Sequence, residues 1–413
     1  MMMDWEKKQL RDVCEIGDGN YSSKYPKAND FIASGIPFIT AKNLKYGTVV
    51  SKHIRYISED QHSTLTKGHV KEGDLVIVVR GSSTGNCSLV PHEYKNSNLN
   101  SQLAYLRTEN NILDSKFLYY IFSSPCIQKV VYETISGSAQ PQLPNNKLLG
   151  IEISFPPINE QKRIVAKLDK CFEAIDKARA NVKKNLQNAK DLFQSQLNQI
   201  FSQKGEGWAS RKLGDELLLK IIDGDRGKNY PKKIDFLNEG YCVFMNTGNV
   251  RPDGFNFKSV VFITRERDNL LRKGKLNRND VVLTTRGTIG NIGLYSSSIP
   301  FEHIRINSGM LIFRTNRQEI LSEYLFEVFR SSFMKEQIKA KTSGAAQPQL
   351  PIKTLVNFII HVPIDLEIQK KCVSKIKEIE SQTQSLESNY KRELDALDEL
   401  KKSILQKAFN GEL

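Results

Sequence analysis

Ser136-Gly137-Ser138-Ala139-Gln140-Pro141-Gln142-Leu143-Pro144 recurs half a chain later as Ser343-Gly344-Ala345-Ala346-Gln347-Pro348-Gln349-Leu350-Pro351, differing only at Ser138 against Ala345. Other blocks recur around it in the same order. Trp5 and Leu10 answer to Trp208 and Leu213, and Ile16-Gly17-Asp18-Gly19 to Ile221-Ile222-Asp223-Gly224. Phe38 to Leu44 answers to Phe244 to Val250, Asp74 to Gly81 to Asp280 to Gly287, and Asn100-Ser101 to Asn307-Ser308. Self-similarity at a nearly constant offset marks a duplicated structural unit. The 413-residue chain is therefore read as two copies of one unit, an internal pseudo-twofold duplication.

Each copy divides into a globular part and a helix. In the first globular part the β-branched or alternating runs Pro37 to Thr40, Asp74 to Arg80 and Leu99 to Arg107 read as strands, broken by Gly, Asn and Ser turns. Asp114 to Thr134 reads as one amphipathic helix capped by Asp114 or Ser115. The second part repeats this with strands at Val281 to Arg286 and Asn307 to Arg314 and a helix over Glu319 to Ala340. Then the texture changes. Ile158 to Phe201 contains no Pro or Gly, and its apolar residues Leu168, Phe172, Ile175, Val182, Leu186, Ala189, Phe193 and Ile200 fall largely at steps of three and four. The second copy runs from Ile364 to Phe409 through Ile376, Ile379, Leu386, Tyr390, Leu397, Leu400 and Ile404, with Leu405 beside the last of these. Arg179, Thr383 and Glu393 interrupt the two seams. A lone helix cannot bury such a seam, so the two are expected to pair, with any leftover apolar face docking a partner protein. The fold class is α+β: two tandem mixed α/β domains, each followed by a long helix. The expected divisions are residues 1–157, 158–203, 204–363 and 364–413.

Sixty Lys and Arg against 46 Asp and Glu leave a net charge of +14, of which +8 falls in residues 201–350 and none in residues 351–413. Charge placed that way suits globular parts that meet a polyanion and a last helix that meets protein; the competing reading is an ordinary solvated surface. With 39% hydrophobic residues the chain can bury a core in each domain, which excludes wholesale disorder. No apolar run reaches membrane-spanning length, and Met1-Met2-Met3-Asp4-Trp5-Glu6-Lys7-Lys8 lacks the apolar stretch of a secretory signal. Cys14, Cys87, Cys126, Cys171, Cys242 and Cys372 are far apart and form no C-x-x-C pair, so reduced thiols and a cytoplasmic location are expected.

Catalytic signatures do not hold up. There is no phosphate-binding G-x-x-x-x-G-K-[ST], no H-E-x-x-H, and no Cys/His set at zinc spacing, so neither a catalytic residue nor a metal site is assigned. Phe155-Pro156-Pro157-Ile158 has the two prolines of an amino-methyltransferase motif without the amide or carboxylate that would hold the amine, and reads as the stop before the long helix. Glu399-Leu400-Lys401 resembles the tail of a nuclease motif but lies on the heptad helix without a partner acid.

What remains is recognition chemistry. Strand Asp74 to Val79 runs into Arg80-Gly81-Ser82-Ser83-Thr84-Gly85-Asn86, and Asp280 to Thr285 runs into Arg286-Gly287-Thr288-Ile289-Gly290-Asn291. A strand delivering Arg into a Gly-, Ser- and Asn-rich loop offers a guanidinium that can fork to phosphate or guanine, with backbone N–H groups free to approach an anion. The competing reading is a hairpin turn with Arg as a strut. Arg80, Gly81, Ser82, Ser83, Thr84 and Asn86, and Arg286, Gly287, Thr288 and Asn291, are the first candidates for DNA contact. Lys42 with Asn43, and Asn246 with Asn249, lie on comparable loops and either address adenine edges or simply form turns. Gln140 and Gln347 either reach DNA or belong to a rigid structural link.

These features together resemble the DNA specificity subunit of type I restriction-modification systems. The resemblance covers the whole chain. It is carried by the two globular domains each followed by a long helix, by the S-G-S-A-Q-P-Q-L-P and S-G-A-A-Q-P-Q-L-P runs, and by the Pro-rich lead into Glu160-Gln161-Lys162-Arg163-Ile164 and Ile368-Gln369-Lys370-Lys371. The tail Ile404-Leu405-Gln406-Lys407-Ala408-Phe409-Asn410-Gly411-Glu412-Leu413 adds to it. The second copy departs slightly, being one residue longer where Leu366 and Ile368 flank Glu367. The resemblance implies a prokaryotic, non-catalytic subunit in which each target-recognition domain reads one half of a bipartite sequence in double-stranded DNA. It implies that the helices form an antiparallel coiled coil, fix the spacer and dock two modification (methyltransferase) subunits, a restriction/translocase subunit joining for cleavage. Phe172, Leu186, Phe193, Ile200, Leu386, Leu397, Leu405 and Phe409 are the residues assigned to that docking surface. No cofactor is expected in this chain: S-adenosylmethionine, and ATP with Mg for restriction, belong to the partners, and no membrane is involved. The alternatives are a free-standing bivalent DNA-binding regulator and a coiled-coil scaffold.

Overall fold

The computed structural model describes residues 5–21, 23–45, 47–109, 111–137, 141–202, 205–342 and 348–413. The chain divides into two compact units: residues up to Lys183 together with Lys391–Leu413, and Lys184–Tyr390. Each unit therefore holds one globular part and a stretch of both long helices.

In the first unit the run Leu75-Val76-Ile77-Val78 has no polar residue because both of its faces are covered. Leu75 and Ile77 join a core with Leu106, Phe117 and Phe122, whereas Val76 and Val78 join a second core with Ile39, Leu103 and Tyr105. The strand lies inside a six-stranded sheet in the order Cys14–Asp18, Leu103–Thr108, Leu75–Val78, Cys87–Leu89, Thr48–Val49, Leu44–Lys45. A three-stranded sheet, Arg55–Ile57, Ile36–Ile39, Asn98–Leu99, stands beside it, and Glu6–Gln9 pairs antiparallel with Glu152–Phe155 to close the domain at the foot of the long helix. The second unit repeats the scheme, with sheets Leu219–Asp223, Met310–Thr315, Val281–Thr284, Ile292–Leu294 and Val261–Ile263, Cys242–Met245, Ile304–Ile306, and the closing pair Trp208–Lys212 with Ile359–Pro363. Its hairpin Val250–Arg251 with Gly254–Phe255 stays separate from the larger sheet, whereas the corresponding strands of the first unit join theirs through Thr48 opposite Leu89.

Two expectations change. Leu99 to Arg107 is not one strand: Asn98–Leu99 and Leu103–Thr108 belong to different sheets, because the Asn100 N–H turns aside to the Ile39 carbonyl at 2.9 Å. The single helix over Asp114 to Thr134 is two, Ser115–Ser123 and Pro125–Thr134. Pro125 has no N–H to continue the first helix, and the Ser124 hydroxyl caps the second by accepting from the Ile127 N–H. The copy over Glu319 to Ala340 breaks likewise into Ser322–Arg330 and Ser332–Lys341, where Ser331 caps without a proline.

The long helices span Ile158–Phe201 and Leu366–Phe409, 44 residues each, roughly 66 Å at about 1.5 Å per residue. Within the first unit they run antiparallel: Arg163 reaches the Leu413 carbonyl, Phe172 lies under Lys401, and Arg179 pairs with Asp398. The Arg179 interruption of the seam is thus an ion pair between the helices. Several residues assigned to partner docking are spent inside the chain. Phe172 and Leu405 are buried in the first unit's core, Leu397 and Phe409 pack on it, and Phe193 and Ile200 pack on the core of the second. Phe409 meets Phe117 edge-on with ring centroids 5.4 Å apart. These side chains anchor helices to domains: Phe172 to the globular part its helix follows, Phe193 and Ile200 of the same helix to the second globular part, and Leu397, Leu405 and Phe409 of the second helix to the first. Leu186 is half-buried, and Leu386 remains 41% exposed.

The joint between helix and domain is a buried amide. Gln161, one turn into the first long helix, is fully buried; its Oε1 accepts the Asp114 N–H at 2.9 Å, and its Nε2 donates to the carbonyls of Ile112 (2.9 Å) and Pro156 (2.8 Å). Gln369 does the same in the second unit, accepting from Leu321 N–H and donating to Glu319 and Pro363, each at 2.9 Å. The extra residue before Gln369 is thus absorbed without disturbing the clamp.

A second joint differs between copies. In the first unit Tyr120 meets Phe172 and its hydroxyl donates to Asp169. In the second, Arg330 forks between Glu327 and Glu380 of the long helix. Burial pushes the Glu327 carboxyl up to about 7 despite Arg330.

Two outcomes are expected. Gln161→Leu strands one buried N–H and two carbonyls, so it should cost about 3–5 kcal/mol and lower the melting temperature of its unit by on the order of 10 °C, read by calorimetry; a drop of under about 2 °C would show that the clamp is dispensable. Glu327 holds in the folded state a proton that the unfolded chain releases near its ordinary, lower pKa. The second unit should therefore lose about 3 kcal/mol as pH rises from about 4.5 to 7, and Glu327→Gln should flatten that slope in pH-dependent denaturation. An equally steep slope in Glu327→Gln would assign it to other groups.

Candidate nucleic-acid interface

The strand Leu75–Val78 delivers Arg80 into a tight loop closed by Gly81 and Gly85, at φ +106° and +94°, values that L side chains resist. Arg80 is exposed, and its guanidinium lies 4.8 Å from the centre of the Tyr21 ring. Burial pushes the Tyr21 hydroxyl up, with Arg80 pulling the other way. The run after the helix pair is bound to this loop by main chain: Arg80 bridges Gln142, Gly81 N–H donates to Pro141 O at 3.0 Å, and Leu143 N–H to Val79 O at 2.9 Å. The recurrence of its described end, Pro141 to Leu143, is therefore explained by a structural link.

Two further loops come to the same place. Asn100 N–H donates to Ile39 O, at the edge of the Thr40–Asn43 turn, while Gln102 O accepts from Val79 N–H at 2.9 Å and Arg80 N–H at 3.3 Å. The segment Asn100–Gln102 thus ties the Lys42 turn to the Arg80 loop. The second unit repeats four of these ties: Arg286 bridges Gln349, Leu350 N–H donates to Thr285 O, Asn307 N–H to Met245 O and Thr285 N–H to Gly309 O. Two residues past Gly224, where the first copy has Tyr21, stands Arg226, bonded to Asp223 and to Ser308 O.

Side chains sort differently from their loops. Lys42, Arg80, Ser82 and Asn86, and Arg286, Thr288 and Asn246, reach the surface or lie half-buried at it, and Ser83 and the backbone of Gly81 and Gly287 are accessible beside them. Asn43 and Asn249 do not serve as base readers. Asn43 is wholly buried; its Oδ1 accepts from Thr40 N–H and its Nδ2 donates to the carbonyls of Val50 and Lys52. Asn249 accepts from Asn246 N–H and donates to Asn256 and Ser259 carbonyls, so both amides are consumed in holding their turns. Thr84 and Asn291 are partly committed too, Thr84 Oγ1 to Gly81 O and Asn291 Nδ2 to Val250 O. Gln140 and Gln347 lie outside the described residues. Residues that the sequence pattern did not bring forward include Tyr21, Arg55, Gln102 and Arg226; a cation or amide on an isolated strand or turn carries no local signal. Also missed are the forks Arg107 to Asp74 and Arg314 to Asp280, which lock corresponding strands in both units.

Among the described residues no group of three or more His, Cys, Asp or Glu is placed to hold a metal, and no helix is long and apolar enough to cross a membrane. The thiols of Cys14, Cys87 and Cys242 are pushed up to about 12, burial being the main cause.

The profile of the type I restriction modification DNA specificity domain matches this chain twice, over residues 2–186 and 205–396. The chain belongs to the type I restriction-modification DNA specificity family. Similar full-length members include the type I restriction enzyme MjaVIII specificity subunit of Methanocaldococcus jannaschii, 23% identical over 99% of this chain and 93% of that one. The EcoBI specificity subunit of Escherichia coli is also 23% identical, over 92% of this chain and 84% of its own length. The fold is shared with a chain from a type I R-M system studied for complex assembly and conformational transition, at TM-score 0.78, 20% identity and coverage of 99% and 98%. It is also shared with the HsdS subunit from Thermoanaerobacter tengcongensis, at TM-score 0.59, 19% identity and coverage of 99% and 97%.

For this member of the specificity family, Asn43→Ala and Asn249→Ala are each expected to lower the stability of their unit by about 2–4 kcal/mol, because carbonyls are left buried without donors, while Lys42→Ala leaves it unchanged. Denaturant titration of the three variants checks this; equal midpoints for all would return the two asparagines to the list of free recognition groups.

Proposed function

We propose that this chain is the DNA-recognition subunit of a type I restriction-modification assembly, with each globular domain reading one half of a bipartite duplex site. The observation that carries the reading is the same three-loop face, tipped by Arg80 in one domain and Arg286 in the other, built by matching main-chain bonds in both units. The overall charge of +14 supports a polyanionic partner, and similarity to named specificity subunits over nearly the whole chain favours this reading over a free-standing regulator or a scaffold.

In this proposal the chain carries no catalysis itself. Modification subunits bring S-adenosylmethionine, and restriction subunits bring ATP and Mg; they assemble on the chain in the cytoplasm, with the paired helices setting the spacer. The exposed Leu386 and the half-buried Leu186 are the members of the original docking set still available for such a contact.

Arg80→Ala and Arg286→Ala should each weaken duplex binding by about 1–3 kcal/mol if the guanidinium forks to a base, and relax the recognised sequence in one half-site only, a different half for each variant. Methylation-motif mapping of the host genome with each variant decides it. A motif unchanged in both halves for both variants would remove these loops as readers.

A further inference from the structure

The first domain carries a concavity beside its recognition loops. It has a volume of about 680 Å³ and is lined by Thr40, Lys42, His53, Arg55, Asn100 and Gln102. It is continuous with the recognition face: a Cβ built on Gly81 would lie 3.6 Å from Gln102 Nε2, and Lys42 stands on the turn already placed there. Arg55 projects from the strand Arg55–Ile57, is exposed, and its guanidinium lies 3.8 Å from the centre of the Phe31 ring. Among the described residues no carboxylate pairs with it. Stacking fixes the plane of a guanidinium while leaving its N–H edge open, and that edge matches two coplanar acceptors. Lys42 supplies charge from the same concavity without a fork, and Gln102 is held in place by its N–H to Asn100 Oδ1 and by Asn100 Nδ2 to its Oε1.

The second domain differs at this point. Arg55 lies opposite Phe38 in its sheet, and the residue opposite the corresponding Phe244 is Val261, which has no side-chain donor. The two faces share a frame but not this chemistry.

We propose that Arg55 is a specificity-determining residue that reads one guanine, through O6 and N7 in the major groove, in the half-site of the first domain, and that the other half-site has no equivalent contact. This rests on the function proposed above and deepens it to a base and a residue. A guanidinium forks to phosphate as well as to guanine; the exposed Gln102 amide in the same concavity, a group suited to base edges, is what favours the base here.

The test compares Arg55→Ala and Arg55→Lys in the full-length chain within its host, by mapping the methylated motif across the genome and by measuring binding of the purified assembly to a duplex carrying that motif. Both variants are expected to lose the preference for guanine at one position of one half-site, by about 5- to 150-fold, with the other half-site intact. Replacing that guanine by 7-deazaguanine, which removes N7, should weaken the wild-type assembly and leave Arg55→Ala unaffected. If Arg55→Lys keeps the full motif while Arg55→Ala weakens binding to every sequence alike, the contact is to phosphate and the inference is overturned. An unchanged motif and affinity in both variants overturns it as well. The parent reading fails separately, when deletion of the whole gene removes no methylation motif.

Discussion

Everything else in this architecture depends on the amide of one glutamine in each copy. A long helix leaving a small domain has no intrinsic direction: Pro156-Pro157 ends the closing strand, and a few residues of loop would let the helix swing. Gln161 removes that freedom by bonding to three separate backbone points, Ile112, Asp114 and Pro156, so that helix, closing strand and helix-pair entrance move as one body. A buried amide with all its partners is worth far more as an orienting device than a hydrophobic contact of equal area, because any rotation leaves donors and acceptors stranded. Apolar burial of Ile164, Leu168 and Phe172 then acts along an axis already chosen.

The recognition face is built on the same principle. Its three loops are tied by backbone bonds, Val79 and Arg80 to Gln102, Asn100 to Ile39, Leu143 to Val79, and by buried Asn43, which holds its turn through carbonyls. Main-chain ties are indifferent to most side chains. Arg55 can become Val261 and Tyr21 can become Arg226 while the loops keep their places, so the chemistry presented to a ligand changes without a change of frame. The interior varies with comparable freedom: Asp268 with Arg305 and Lys275 in the second unit stands where the first has His62, Asn98 and His69, and the bridge between the paired strands is kept in both.

This division between frame and presented chemistry explains what was legible in the sequence. The duplication, the two long helices and the strands around Leu75 and Val281 were legible because repetition, the absence of Pro and Gly, and unbroken β-branched runs are local signals. The break at Ser124-Pro125 was written in the chain too, and the helical periodicity on either side concealed it. Asn43 and Asn249 misled for a physical reason: an Asn that reads adenine and an Asn that braces a turn occupy the same loop positions, and burial alone separates them. The seam residues misled in the opposite direction. Heptad spacing says that Phe172 and Leu405 are buried and is silent on what buries them, and here the first unit's core does so. Arg55 carried no signal, since the Phe31 ring that orients it lies 24 residues away in sequence.

A duplicated recognition chain faces opposing demands: its halves must stay alike enough to share one pair of helices, yet differ enough to read unlike sequences. The structure meets both by placing likeness in groups that bond to backbone and difference in groups that face outward or fill interchangeable interior positions. Gln161 and Gln369, Asn43 and Asn249, and the Arg107–Asp74 and Arg314–Asp280 forks recur with the same bonds because each fixes backbone, and a change in any of them would shift every loop it supports. Arg80 and Arg286 recur at the loop tips, exposed in both units. At the positions beside them, Arg55 against Val261 and Tyr21 against Arg226, charge and hydrogen-bonding capacity change while that frame is kept.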